Sequence, residues 1–286
     1  MELSLFLQGI VNGVMLGVFY ALIALGLSLI FGIMGIINFS HGQMYMIGGF
    51  AAYYIFSQLH INYFATLIIA MILVGLLGGV FERIIFRRLE GEELNAFIAS
   101  LGLAWVLEML AAIISGPLDK SIVSPFTGVV KVIGVVFTTQ RLLTVLVGVG
   151  LVVGLYLFLI KTRTGKAIRA VAQNREAATL QGINAERIGT LSFAIGCALA
   201  GAAGVLMTPA FVINPFIGSE IILKCFVVII LGGMGSIMGA LAGGLILGFV
   251  ESFGCLFLTV PSVTLMTFVI VILILLLRPQ GLLGHG

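Results

Sequence analysis

The sequence predicts an all-α, polytopic helical membrane protein of about eight transmembrane helices, and three observations carry that prediction. Of 286 residues, 61% are hydrophobic and only 9% are charged, whereas soluble domains carry roughly 25% charge because water must wet their surface. Charge is also absent from whole stretches: no Asp, Glu, Lys or Arg occurs between Glu2 and Glu82, nor in 142–160, 188–219, 225–250 or 252–277. A helix needs about 20 apolar residues to cross the hydrocarbon core, so each window admits a span and the first admits three. Finally, no segment alternates apolar and polar residues as barrel strands do. Lipid offers backbone N–H and C=O groups no outside partner, which leaves helices.

The spans follow in order from the Gly, Pro, Asn and charged residues that punctuate the apolar text. They are Leu7–Phe31, Met44–Ser57, Tyr63–Phe86, Asn95–Ser115, Leu142–Ile160, Ile188–Thr208, Ile221–Glu251 and Leu265–Leu277. Met1-Glu2-Leu3-Ser4 lacks the basic start of a signal peptide, so the first stretch is read as a retained span. Ile221–Glu251 exceeds one crossing and is interrupted by Gly232-Gly233-Met234-Gly235-Ser236, which admits a bent span or a tight hairpin. Loop charge sets orientation. The 161–187 loop holds Lys161, Arg163, Lys166, Arg169, Arg175 and Arg187, and the loop after the third span holds Arg83, Arg87 and Arg88. Two spans separate these loops, so both face the cytoplasm, the N-terminus lies outside, and Arg278 marks a cytoplasmic C-terminus. That parity favours the hairpin. Phe31-Gly32-Ile33-Met34-Gly35 also echoes Leu231-Gly232-Gly233-Met234-Gly235 at an offset of 200, the pattern expected of an internal repeat of the kind that builds transporters.

One loop stands apart from the bilayer text. Lys166–Gln173 and Arg175–Gln181 have good helix composition. Asn174 is placed to cap the second piece, Glu176 sits in its first turn near the positive dipole end, and Gly182 suits the left-handed position beyond its end. Asn184 is placed to cap the following span. The expectation is a short amphipathic pair outside the membrane, basic on one side and Ala, Val, Ile and Leu on the other.

Glu176-Ala177-Ala178-Thr179-Leu180-Gln181-Gly182 resembles the EAA-x-x-x-G core of the cytoplasmic coupling loop in bacterial ABC importer permeases, although the further Ile-x-Leu-Pro part is absent at its usual spacing. Ile36-Ile37-Asn38-Phe39-Ser40-His41-Gly42, Gly182-Ile183-Asn184, Val212–Gly218, Leu231–Ser236, Gly243–Gly248 and Arg278–Gly284 follow in an order similar to the branched-chain amino acid permease family, LivH type. The resemblance runs from about Gly9 to Gly284. It implies one permease domain over 1–286 with its coupling-helix loop at 161–187, in a bacterial-type inner membrane. It further implies ABC ATPase subunits that use ATP, a second permease subunit in a heterodimer, and a periplasmic substrate-binding protein. Branched-chain or related amino acids or amides are the implied cargo. Arg169, Asn174, Glu176, Ala177, Ala178 and Gly182 become the expected ATPase-coupling residues.

Asn38, Ser40, His41 and Gln43 form a polar knot between the first two apolar stretches. Polar groups at membrane depth line a cavity or are buried in protein, which makes them candidate pathway residues; a cytoplasmic turn whose Asn and Ser cap the next helix is the plainer reading. Glu108, Lys224 and Glu251 are the ionisable groups nearest apolar interiors, and each must pair or face the bundle. Glu220 and Lys224, four apart on one helix face, are expected to pair with each other. Cys197, Cys225 and Cys255 have no ligand spacing and read as buried small hydrophobes. Gly75/Gly79, Gly196–Gly204 and Gly239–Gly248 read as close helix contacts. No nucleotide loop, metal cluster or nucleophile-base pair is visible, so no cofactor is expected on this chain and it is not read as an enzyme. The net charge of +3 gives no reason to invoke nucleic acid; lipid headgroups are the natural neighbours of the basic loops. An ion-gradient-driven secondary transporter of small polar solutes is the alternative, with Glu108 and Glu251 as its only core carboxylates.

Overall fold

The computed structural model describes residues 2–132, 135–278 and 281–283. Eleven α-helices are described: α1 Glu2–Met34, α2 His41–Ala51, α3 Tyr63–Ile84, α4 Glu93–Ser115, α5 Thr139–Lys161, α6 Arg163–Gln173, α7 Arg175–Leu180, α8 Ala185–Met207, α9 Ile217–Gly232, α10 Ile237–Phe257 and α11 Val260–Leu277. A π-helical turn, Ala52–Gln58, extends α2, and a 3-10 turn, Phe86–Leu89, follows α3. Six helices (α1, α3, α4, α5, α8 and α10) are long and apolar enough to cross a membrane. The helical membrane architecture is as expected. The count of about eight is approximate, and the structure departs from the expected element list in two places.

The first departure settles Ile221–Glu251 as two antiparallel helices. α9 ends at Gly232, and Gly233 and Gly235 take φ of 101° and 80° before Ser236 caps α10 through its Oγ, which accepts from Gly239 N. The echoed Gly35 also takes a positive φ, 66°, just beyond α1, so the correspondence with Gly235 extends to backbone conformation. Leu282 and Leu283 donate their backbone N–H groups to the Leu231 and Gly232 carbonyls, satisfying acceptors that a helix end leaves open. Of the terminal motif, 279, 280 and 284 lie outside the described residues.

A second departure is a β-hairpin, β1 Val129–Val132 paired antiparallel with β2 Val135–Thr138, in the connection between α4 and α5. β-branched valines favour that conformation, and the apolar-run criterion passed over them because the stretch is too short to span.

Packing depends on glycine, as the spacing predicted. α1 and α10 touch along Gly13, Gly17 and Gly248; a Cβ on Gly248 would lie 2.2 Å from Gly17 N. α8 packs by Gly196 against Gly26 and by Gly204 against Tyr45 O. Lipid tails supply no drive for apolar association, so such backbone approach is what helices gain by packing. α1 and α8 form the buried centre, whereas α4 and α5 stand mostly exposed, turning Trp105, Ile113 and Leu146 outward. Cys197 and Cys225 are buried as expected. Cys255 is exposed, which corrects the reading of all three, because it sits on the open face near the end of α10.

The Arg175–Glu90 ion pair places the 161–187 loop and the turn after α3 at one end of the bundle. Gln8, near the chain start, donates to the β2 carbonyl of Val136 at the opposite end.

Candidate functional site

Two short helices begin inside the bundle. The His41 ring lies 3.1 Å (Nε2) from the Ile23 carbonyl, and Ile23 precedes the end of α1 by about 16 Å of helix at 1.5 Å per residue. The segment 35–40 therefore turns back along α1, reversed at Gly35, before α2 starts. α9 starts at the same depth. A Cβ on Gly42 would lie 2.1 Å from Gly218 O, so only glycine lets these two helix starts meet. Interrupted helices whose positive ends point into the bundle are a common way to build a polar site away from water.

At that junction Glu108 of α4 accepts from Ser219 Oγ at 2.6 Å and from Gln43 Nε2 at 3.2 Å. Asn38 Oδ1 accepts from both Ser40 N, at 3.0 Å, and Ser40 Oγ, at 2.6 Å. All four knot residues are buried. This corrects the plainer reading of the knot: it is an interior segment and not a surface turn, and Ser40 makes no side-chain cap to α2. Asn38 Nδ2, His41 Nδ1 and Gln43 Oε1 have no partner among the described residues. Each such group costs about 1–3 kcal/mol when buried, a concentration of unsatisfied polarity within six residues.

A second cluster lies beside the first. Lys224 Nζ is 2.7 Å from Glu251 Oε1 and donates to Tyr20 Oη at 3.1 Å, while the Tyr20 hydroxyl donates to the other Glu251 oxygen. Lys224 therefore pairs across α9 and α10 and not with Glu220, which overturns the local pairing expected from spacing. The i, i+4 geometry is available to Glu220, but a carboxylate on α10 inside the bundle needs the ammonium more, because an unpaired charge there is costly. Glu220 stays exposed at the mouth of a groove of about 710 Å³ between α9 and α11, which Lys224 also lines. Sequence reasoning passed over Tyr20 and Ser219; their only signal was polarity within a charge-free stretch.

At the basic end, the paired short helices form as expected. Thr162 Oγ1 accepts from Gly165 N at 2.9 Å, and Asn174 Oδ1 from Ala177 N at 2.8 Å. Gly182 takes φ 83°, and Asn184 Oδ1 accepts from Arg187 N at 2.9 Å. Ile168 and Val171 of α6 are buried against the bundle while Lys166 and Arg169 are exposed. Arg175 pins α7 through both Glu90 oxygens, one of them at 2.7 Å from Nη2. Of the expected coupling set, Arg169, Asn174, Glu176, Ala177 and Gly182 face outward, but Ala178 is turned into the core. Leu180, passed over in the sequence, is the apolar side chain presented at the tip, 87% exposed.

The family described as "Branched-chain amino acid transport system / permease component" matches residues 9–277. The chain is 37% identical to the high-affinity branched-chain amino acid transport system permease protein LivH of Escherichia coli (strain K12), covering 98% of this chain and 96% of that protein. It is 36% identical to the corresponding permease protein BraD of Pseudomonas aeruginosa over 99% and 97% of the two chains. A more remote likeness, 26% identity over 81% of this chain and 72% of the other, is to the ribose import permease protein RbsC of Haemophilus influenzae. No solved structure matches.

Proposed function

The chain belongs to the branched-chain amino acid transport permease family, and from that premise we propose that it works as one of two permease subunits in an ATP-driven importer. It is a multi-pass membrane translocation component, and branched-chain amino acids are its cargo. The membrane is a bacterial-type inner membrane, ATP is hydrolysed on separate subunits, and a periplasmic binding protein delivers the amino acid on the side opposite the α6–α7 pair. The ion-gradient alternative is set aside on family membership. Its two carboxylates are also already engaged, Glu108 by Ser219 and Gln43, and Glu251 by Lys224 and Tyr20.

The observation that carries the ATP-driven reading is the α6–α7 knuckle. Its helix starts are capped, Arg175 fastens it to Glu90, and its outward side offers Leu180, Ala177 and Glu176. A rigid element outside the bilayer with one exposed apolar knob suits a soluble partner whose movement must reach the helices behind it. The mid-bundle junction of α2 and α9 is the element that such movement would reset, because Asn38 Nδ2, His41 Nδ1 and Gln43 Oε1 lack partners among the described residues and gain by finding others. Conformational work needs two arrangements with different contacts.

Uptake of labelled leucine into vesicles bearing the assembled importer tests this reading. Uptake should require ATP and persist when proton and sodium gradients are collapsed. Uptake that continued without ATP and stopped with the gradients would overturn it.

A further inference from the structure

The α9–α11 groove combines features that rarely occur together at membrane depth. Its α9 wall carries Glu220 and Lys224, and its α11 wall carries Val260, Leu265 and Phe268. Lys224 precedes the end of α9 by about 12 Å, and Tyr20 precedes the end of α1 by about 21 Å, at 1.5 Å per residue. The charged wall thus stands near the middle of the bundle and not at a headgroup level. A carboxylate left open there cannot face hydrocarbon without a large cost. The groove therefore faces protein or an aqueous path.

The distribution of charge then restricts what enters. Lys224 is held in place by Glu251 and Tyr20, which take two of its three N–H donors, so its ammonium is oriented with one donor left for a third acceptor and 23% of the side chain exposed. Glu220, one helical turn towards the start of α9, has no hydrogen-bond or ion-pair partner among the described residues and is exposed. An anionic and a cationic group one turn apart, about 6 Å along the axis, match the two charges of an amino acid. The facing wall is aliphatic and aromatic, the environment an uncharged branched side chain prefers to water. A sugar would leave both charges unmatched, and a hydrocarbon would desolvate them.

We propose that this groove is the membrane subsite for the transported amino acid: Glu220 takes its α-ammonium, Lys224 its carboxylate, and Val260, Leu265 and Phe268 its branched side chain. The assignment rests on the permease reading above and adds to it the residues that meet the cargo. Glu251 and Tyr20 are positioning residues, acting through Lys224. The groove is roomier than one leucine, which fits a transit site that must release its occupant.

The test uses the complete importer, reconstituted with its partner subunits and binding protein, and follows labelled leucine. Glu220→Gln removes the charge at an exposed position and should lower uptake at least tenfold, whereas Glu220→Asp should recover most of it. Leu265→Trp fills the groove from an exposed position and should lower uptake by a similar factor. Membrane level and co-purification of the partner subunits check that each variant is assembled. Leucine uptake at the unaltered rate by either Glu220→Gln or Leu265→Trp would overturn the groove assignment and leave the permease reading standing. Failure of the unaltered assembly to carry any branched-chain amino acid would overturn both.

Discussion

The α6–α7 knuckle and the mid-bundle polar clusters meet the same problem, polar groups beside an apolar bundle, by opposite means. In the knuckle each helix start finds its partner three residues away: Thr162 for Gly165 and Asn174 for Ala177. In the bundle the partners come from distant parts of the chain, Gln43 and Ser219 for Glu108, Tyr20 and Lys224 for Glu251, and three atoms of the 38–43 segment find none among the described residues. The knuckle is a finished local structure suited to transmitting force. The interior is a set of long-range bargains, some incomplete, suited to being rearranged.

Substitutions should separate the two regimes. The largest effect is expected from Lys224→Met, which strands Glu251 inside the bundle; loss of one partner of a buried pair costs about 3–5 kcal/mol. Little intact protein should be recovered from membranes, and adding Glu251→Gln should restore much of it. Gly42→Ala comes next. Its new methyl meets the Gly218 carbonyl, which cannot move without shifting α9, so about 1–3 kcal/mol should be lost by overpacking, read as a lower midpoint of thermal unfolding in detergent. Asn174→Ala removes a local cap and should cost about 1 kcal/mol, confined to faster hydrogen exchange in α7 with the membrane helices unchanged. A global loss of stability there would erase the distinction between the regions. His41→Gln should do least: a side-chain amide replaces a ring whose hydrogen bond among the described residues is to the Ile23 carbonyl, and uptake should stay within a few-fold of the unaltered chain.

The same contrast explains what the sequence made legible. The caps at Asn174 and Asn184, the turn at Gly182 and the break at Gly232–Ser236 all depend on neighbours within one or two helical turns, and each stands where spacing put it; the spans follow less closely, since the expected span Met44–Ser57 is a short helix that begins inside the bundle. Lys224 shows the limit. Its local partner, Glu220, was visible at i−4, but its actual partner, Glu251, sits on the next helix and is reached only once the glycine break has folded α10 back. Likewise Ala178 reads as one small residue among its neighbours in the coupling motif, and only packing shows that it is turned inward while Leu180 points out. The strand pair 129–132 and 135–138 was hidden because hydropathy, and not β propensity, governs the reading of a membrane sequence.

Crosslinking from the knuckle tests the account most directly. Leu180→Cys, at the exposed tip of α7, should join to an ATP-hydrolysing subunit in native membrane vesicles, with a yield that changes when a non-hydrolysable nucleotide is added. A cysteine at Leu180 that reacts freely with soluble reagents yet captures no such subunit, with or without nucleotide, would contradict the claim that this element receives the power for transport.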